Sequence, residues 1–219
     1  MTKNFKKYLI LGFLFFFPIF VYVFLSTGIN NFAKLPVLTY GVNDIVDLEG
    51  NLSKVSLRDN ISIVGFWGGD IENKKSEALN LNQKIYKRFY EFQDFQFVFL
   101  YNIEESKAIE DLKLELISGV GTDLKKWNFI PTSQSIINDV FNSFKTNIEL
   151  DENFSTPYVF IVDRDLSLRG RDDDEDTGML FGFNSQSVAE INNKMVDDVK
   201  IILAEYRLAL KKNDSLFNE

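Results

Sequence analysis

The hydrophobic positions of this chain form one long apolar run, followed by shorter stretches with two different periods. Residues 8–25 read YLILGFLFFFPIFVYVFL and carry no charge. Beyond residue 34, runs of β-branched and aromatic residues alternate with segments in which apolar positions recur every three or four residues. The long run is typical of a membrane-spanning helix. The later pattern predicts buried strands that alternate with amphipathic helices.

The apolar run can cross a bilayer when it is extended to residue 29, because a spanning helix needs about 20 apolar residues. Three lysines lie within residues 1–7, and no other charge occurs before Lys34. Basic residues on the N-terminal side predict that residues 1–7 are cytoplasmic and that the chain after the anchor lies outside the cytoplasm. A cleaved signal peptide is one alternative, although residues 25–32, LSTGINNF, lack a small-x-small cleavage pattern. A buried helix is the other.

The pattern divides the rest of the chain into a linker, one domain and a short tail. We expect the linker at residues 30–34, the domain at residues 35–212 and the C-terminal tail at residues 213–219. A domain of this length is within the usual range for a single folding unit and can be stable without disulfides.

The two periods predict the elements of the domain. The predicted strands cover residues 61–67, 95–101, 127–130, 158–162 and 166–168. The predicted helices cover residues 74–93, 104–117, 133–144 and 187–212. Apolar residues also alternate on either side of Gly50, which predicts a β-hairpin over residues 46–57 with Gly50 in its turn. This order predicts an α/β domain with a central sheet covered by helices on both faces.

The composition describes the core and narrows the choice of partners. Hydrophobic residues make up 45% of the chain and 22 of them are phenylalanine, so we expect an aromatic core. The net charge of -8 and the pI near 4.8 argue against nucleic acid or anionic lipid as the main ligand.

The chain contains no cysteine and no histidine, which removes several kinds of chemistry. Thiol exchange needs a thiolate, and Ser-His-Asp and Cys-His pairs need an imidazole. Copper and zinc sites need Cys, His or Met, and only Met179 and Met195 remain after the initiator. The 32 acidic residues include no pair with distinctive spacing, so we assign no catalytic residue, metal site or cofactor.

The turn after the first central strand is a candidate binding site. Glycines at Gly68 and Gly69 would allow backbone N–H groups to face an anion or the backbone of a partner. The favoured interpretation is nevertheless a tight turn in which Asp70 or Asn73 caps the next helix. The neighbouring Trp67 is interpreted as a core residue, with a contact residue as the alternative.

The most polar stretch of the chain is residues 169–176, RGRDDDED. Dense carboxylates can bind calcium or magnesium, but the D-x-D-x-D-G spacing of a calcium loop is missing. We interpret this stretch as a solvated loop with local arginine–aspartate pairing. A partner-facing patch and a metal site are the alternatives.

The order of the elements and several short segments resemble the Sco/SenC family of membrane-anchored, thioredoxin-like proteins. The resemblance covers about residues 35–212 and includes LPVLTYG, the EGN turn, ISIVGFW, NLNQKIYKRF and PYVFIVDRDLSLRG. It implies a thioredoxin-like fold in which Thr156 and Pro157 lie beside the loop of residues 68–70. It also implies a cis Thr156–Pro157 bond, whereas a trans bond that enters a strand is the alternative.

The chemistry of that family does not carry over to this chain. Its C-x-x-x-C motif corresponds to residues 68–73, which contain no cysteine, and its copper-ligating histidine corresponds to Phe154 or Ser155. The resemblance therefore implies a degenerate member that keeps the scaffold without the thiol and copper ligands.

Three functional hypotheses follow. The favoured one is a non-catalytic, protein-binding accessory factor of the bacterial cytoplasmic membrane, with its domain on the periplasmic or extracytoplasmic side; the resemblance implies respiratory oxidase or cytochrome assembly. The second is a structural or small-ligand-binding envelope protein, and the third is an enzyme that uses carboxylates, magnesium or calcium. The contact candidates on the favoured hypothesis are Trp67, Gly68, Gly69, Asp70, Thr156 and Pro157.

Overall fold

The computed structural model describes residues 3–26, 34–120 and 123–217, which fall into two units. The N-terminal unit contains one helix, α1 (Lys3–Ser26). Its segment Phe5–Phe24 is long and apolar enough to cross a membrane or to act as a signal sequence, and none of it is buried. The predicted extension of the span over residues 27–29 and most of the predicted linker lie outside the described residues.

The second unit, Lys34–Glu219, contains the strands and the remaining helices. Its strands are β1 (Val37–Tyr40), β2 (Ile61–Gly68), β3 (Phe95–Asn102), β4 (Trp127–Thr132), β5 (Tyr158–Val162), β6 (Ser167–Arg169), β7 (Arg171–Asp174), β8 (Gly178–Leu180) and β9 (Phe183–Asn184). Its helices are α2 (Lys75–Leu81), α3 (Lys87–Phe89), α4 (Ser106–Val120), α5 (Gln134–Ser143), α6 (Val188–Glu190) and α7 (Val196–Phe217). Every strand and helix predicted by periodicity is present, apart from the hairpin around Gly50.

The main sheet has a thioredoxin-like arrangement. Within the described residues its strand order is β1-β6-β5-β2-β3-β4, and β9 pairs with the start of β5. Strands β2, β3 and β4 are parallel, whereas β5 runs antiparallel to β2 and β6 runs antiparallel to β5. Strands β7 and β8 form a separate hairpin. The predicted α/β fold, a central sheet flanked by helices, is confirmed.

Helices cover both faces of the sheet, which is why the central strands have continuous apolar runs. All eight residues of β2 are buried. One core includes Trp67, which stacks on Phe99 at 4.1 Å between ring centroids. The opposite core includes Phe66, whose ring meets the edges of Phe141 and Phe144 at 5.1 and 5.3 Å. The predicted aromatic core is thus present on both faces.

The predicted hairpin around Gly50 is wrong, because this segment forms consecutive turns. The buried side-chain amide of Asn51 donates to the carbonyls of Ile45 and Val55 and accepts from the Val55 N–H. These side-chain bonds satisfy backbone groups that a strand ladder would use. Leu52, one of the alternating apolar residues, is 90% exposed.

Several element ends also differ from the predictions. Strand β4 continues through Pro131 to Thr132. It lies at the edge of the sheet, so no further strand needs the N–H group that proline lacks. The helix predicted over residues 74–93 begins with a 3-10 turn, Glu72–Lys74, includes a π-helical turn, Asn82–Tyr86, and ends at Phe89. Helix α7 extends five residues past the predicted end at residue 212.

A buried arginine joins the beginning and the end of the domain. Arg169 on β6 is bonded to Asp163 at 2.9 Å, to Glu205 of α7 at 2.7 Å and to the carbonyl of Leu35. Burial disfavours the guanidinium charge, but Asp163 and Glu205 outweigh it and raise the pKa of Arg169. We call these residues the Arg169 network.

Candidate functional site

The turn after β2 is shaped by two glycines. Gly68 has a φ of +55°, a left-handed conformation, and a Cβ there would lie 2.0 Å from the carbonyl oxygen of Asn153. The Gly69 N–H donates to that same oxygen at 2.9 Å, and the Asp70 N–H donates to the Trp67 carbonyl at 3.3 Å. These two amides are therefore bonded within the fold, which agrees with the favoured tight turn and argues against the alternative that they face an anion.

The capping role predicted for Asp70 or Asn73 is also wrong. The first helical turn begins after Ile71 and has no side-chain cap, and α2 has none either. Instead, the Asn73 side-chain amide donates to the Asp70 carboxylate at 2.7 Å. These two polar side chains bond to each other at the surface, so the turn is held by its backbone bonds.

The segment before β5 packs directly against this turn. The Asp151 carboxylate accepts the N–H groups of Asn153 and Ser155, both at 2.9 Å, and so fixes the shape of the segment. The Thr156 N–H then donates to the carbonyl of Phe66 at 3.0 Å. The structure thus brings together the two segments that the sequence nominated, residues 68–70 and Thr156–Pro157. The Thr156–Pro157 peptide bond is trans, so the cis bond that the resemblance implied is wrong.

Trp67 lies below this surface. It is fully buried and belongs to the core that includes Phe99. This placement agrees with its interpretation as a core residue, so it can support a binding surface from beneath but cannot touch a partner directly.

Next to the turn lies a buried ion pair that the sequence analysis missed. Lys74 Nζ lies 3.2 Å from Glu77 Oε1, and the two side chains are only 5% and 1% exposed. The same carboxylate accepts from the side chain of Gln186 at 2.9 Å and lies 3.0 Å from Ser185 Oγ. Sequence does offer one hint, since Lys74 falls on the stripe of buried positions that continues through Ala78.

This ion pair is linked to Pro157. Ser185 Oγ lies 2.6 Å from the carbonyl oxygen of Pro157, and the backbone N–H of Ser185 donates to the same oxygen at 2.9 Å. A hydroxyl has one proton, so Ser185 Oγ donates either to Pro157 or to Glu77 at a given moment. We call Lys74, Glu77, Ser185, Gln186 and Pro157 the Lys74 network. Because the Glu77 carboxylate is already bonded by several donors, the Lys74 network is suited to holding its residues in place rather than to proton transfer.

A groove opens on the outer side of Thr156 and Pro157. Its volume is about 460 Å³, within the roughly 300–1,000 Å³ range of ligand sites. Its lining includes Thr156, Pro157 and Tyr158 together with residues 179–182, which begin on β8. Leu180 is buried, whereas Met179 is 44% exposed. The groove therefore combines a fixed floor with an accessible apolar rim.

The acidic stretch beside this groove differs from the predicted solvated loop. Most of it forms the β7–β8 hairpin. The expected local pairing is present, since Arg171 lies 3.9 Å from Asp174, but the arginines also pair with distant carboxylates. Arg171 bonds both oxygens of Asp198 on α7 at 2.8 Å. Lys194 lies 2.8 Å from Asp174 and 2.7 Å from Asp176. Among the described residues, no cluster of three or more acidic side chains could hold a metal ion.

The pKa values of two carboxyl groups at this hairpin, Asp174 of β7 and Asp198 of α7, shift in opposite directions. Burial disfavours the Asp174 charge, but the Lys194 ammonium and two backbone N–H donors outweigh it and lower the pKa of Asp174. In Asp198, burial exceeds the effect of Arg171 and raises the pKa. Asp174 thus holds its charge firmly, which anchors the turn of the hairpin at the edge of the groove.

Comparison with known proteins gives likeness only to solved structures. No protein-family model matches the sequence, and no curated protein matches it significantly. A SCO1/SenC family lipoprotein from Bacillus anthracis is 15% identical, with a TM-score of 0.49 over 81% of this chain and 99% of its own. The soluble domain of Sco1 from Bacillus subtilis is 19% identical, with a TM-score of 0.45 over 76% and 94%. A thiol:disulfide interchange protein from Bacteroides sp. is 16% identical, with a TM-score of 0.40 over 63% and 79%.

Proposed function

We propose that this chain is a membrane-tethered, thioredoxin-like protein that binds other envelope proteins, without thiol exchange or copper ligation. The groove beside Thr156 and Pro157 is its binding surface. The observation that carries this proposal is the contrast between the groove's fixed floor and its exposed rim, where Met179 is 44% accessible. An exposed apolar residue at the edge of a concave surface favours recognition of another molecule.

The neighbouring turn supports binding rather than chemistry. The N–H groups of Gly69 and Asp70 are both bonded to backbone carbonyls, and the sequence offers neither a thiolate nor an imidazole. The bonds from Gly69 and Thr156 hold the two segments of the site together. A surface fixed in this way loses little conformational entropy when it binds a partner.

The proposed location is the bacterial cytoplasmic membrane, with the domain on the extracytoplasmic side. The lysines before the span support this orientation. The resemblance of the sequence to the Sco/SenC family suggests partners that take part in respiratory oxidase or cytochrome assembly.

Photo-crosslinking tests the binding surface. A photoreactive amino acid in place of Met179, in the full-length protein in native membranes, should capture oxidase subunits or cytochrome-assembly proteins that mass spectrometry identifies. Leu114 on α4 is the matched control, since it is apolar, 68% exposed and not part of the groove. Equal capture at both positions, or none at Met179, would contradict the proposal.

Cysteine labelling tests the orientation, because the chain has no cysteine of its own. A membrane-impermeant maleimide added to intact spheroplasts should label Leu52→Cys, at a position that is 90% exposed, and should not label Thr2→Cys. The reverse pattern would place the domain in the cytoplasm.

A further inference from the structure

Exposed carboxylates lie in the lining of the groove and on the adjoining β7–β8 hairpin. Glu149 lines it directly, and Glu175 lies two residues before the lining residue Thr177. Asp172 and Asp173 lie on β7, opposite the β8 strand that carries Met179. These four acidic residues are exposed, and none takes part in a salt bridge among the described residues. We call Glu149, Asp172, Asp173 and Glu175 the acidic rim.

The two cations bonded at the β7–β8 hairpin, Arg171 and Lys194, do not neutralise the acidic rim. Arg171 is bonded to both oxygens of Asp198, and Lys194 is bonded to Asp174 and Asp176. Among the described residues that line the groove, none is Lys or Arg. The lining therefore carries the negative charge of Glu149 and no positive charge, in a chain whose net charge is -8.

The walls of the groove suit apolar side chains. Pro157, Tyr158 and Phe181 are half-buried there, and Met179 is more exposed. Methionine is flexible and polarizable, so it can adapt to side chains of different shape. A ligand that fits both the walls and the rim must carry apolar groups and positive charge together.

We infer that the groove binds a protein segment that combines apolar residues with Lys or Arg, an inference that rests on the proposed function. The apolar side chains of the segment pack against Tyr158 and Met179, while its positive charges face the acidic rim. Such charge complementarity selects the partner and speeds association more than it adds affinity. The same potential repels acidic segments, which would exclude much of the surface of other acidic proteins.

Peptide selection tests this inference without knowledge of the partner. A phage library of random 12-residue peptides is selected against the full-length protein in phosphatidylcholine nanodiscs, with removal of peptides that bind empty nanodiscs. We expect the selected peptides to be enriched in Lys or Arg together with apolar residues. Selection of neutral or acidic peptides, or no enrichment over empty nanodiscs, would overturn the inference.

Two charge variants test whether the acidic rim is responsible. In the rim variant, Glu149→Gln, Asp172→Asn, Asp173→Asn and Glu175→Gln remove four charges. The control variant removes four exposed charges elsewhere through Glu49→Gln, Glu91→Gln, Glu104→Gln and Asp111→Asn. We expect the selected peptides to bind the rim variant about tenfold more weakly, with a smaller dependence on salt, and to bind the control variant as they bind the parent. Equal affinity for the rim variant and the parent would overturn the inference.

The outcomes separate the inference from the proposed function. Capture of partners at Met179, combined with neutral or acidic selected peptides, would leave a protein-binding groove and remove its charge preference. Failure of both the crosslinking and the peptide selection would remove the binding surface itself.

Discussion

The domain contains two networks built around a buried cation, and they lie in different parts of the fold. The Arg169 network joins Leu35, at the start of the domain, to β6 and α7, whereas the Lys74 network joins the start of α2 to Pro157 beside the groove. Breaking a buried ion pair is costly because the remaining charge has no counterion. The comparison therefore suggests that one network sustains the domain as a whole, while the other holds the candidate site in shape.

Loss of Arg169 should have the largest effect on stability. Arg169→Met leaves the Asp163 carboxylate buried without its cation, and we expect the free energy of unfolding to fall by about 3–5 kcal/mol. Urea unfolding of the full-length protein in detergent measures this free energy. Both tryptophans are buried in the domain, so their fluorescence reports its unfolding. Arg58→Met, at an exposed position, is the control. A loss below about 1 kcal/mol, the typical value of a surface pair, would contradict the role assigned to Arg169.

The Lys74 network should matter for both stability and site geometry. Glu77→Gln removes the counterion of buried Lys74, and we expect a loss of about 3 kcal/mol together with weaker crosslinking at Met179. The double variant Lys74→Met, Glu77→Leu is the informative control, because apolar replacement of both partners is often neutral for stability. Recovery of stability without recovery of crosslinking would show that the network positions the groove. An unchanged crosslinking yield in Glu77→Gln would contradict that role.

Gly68, in the turn after β2, should tolerate a side chain less well than Gly178, in the β7–β8 hairpin. Gly68→Ala places a Cβ 2.0 Å from the Asn153 carbonyl oxygen in left-handed backbone, and we expect a loss of about 2–3 kcal/mol. Gly178→Ala has a similar φ of +74° but no atom within 4 Å of the new Cβ, so it should cost only about 1 kcal/mol. Unfolding midpoints of the two variants measure the difference, and equal losses would show that the contact with Asn153 is unimportant.

The smallest effect concerns the pairing of Asp174 with Lys194. The pKa of Asp174 is lower in the folded protein than its ordinary value of 3.8, so its ionised form contributes stability above that pH. This contribution disappears as the pH falls through the lowered pKa. We expect Asp174→Asn to be about 1 kcal/mol less stable than the parent at pH 7, and the difference to shrink as the pH falls toward 3. A difference that stayed constant over this range would contradict the assignment.

The sequence was most informative where apolar periodicity dominated. Continuous apolar runs predicted β2 and β3, because helices cover both faces of those strands. Around Gly50 the alternation was misleading, because the side chain of Asn51 satisfies the backbone groups that a hairpin would pair. The spacing of apolar residues cannot show that a side chain, instead of a neighbouring strand, bonds these backbone groups.

The candidate site was predicted only in part, because it depends on contacts between distant segments. In the fold, the Thr156 N–H bonds to Phe66 and the Gly69 N–H bonds to Asn153, so the segment before β5 packs against the end of β2. The link from Glu77 to Ser185 spans 108 positions, and only the folded chain shows it. The acidic stretch was interpreted only in part for the same reason, since Arg171 pairs with Asp198, 27 positions away, as well as with Asp174 at 3.9 Å.

The bond between Arg169 and the Leu35 carbonyl has a mechanical consequence. Under the proposed tethering, a pull on the N-terminal side of the domain reaches Leu35 before it reaches the sheet. The guanidinium holds that carbonyl and, through Glu205, connects it to α7. On that proposal, tension on the start of the domain would be shared between β6 and the C-terminal helix instead of falling on the first strand alone.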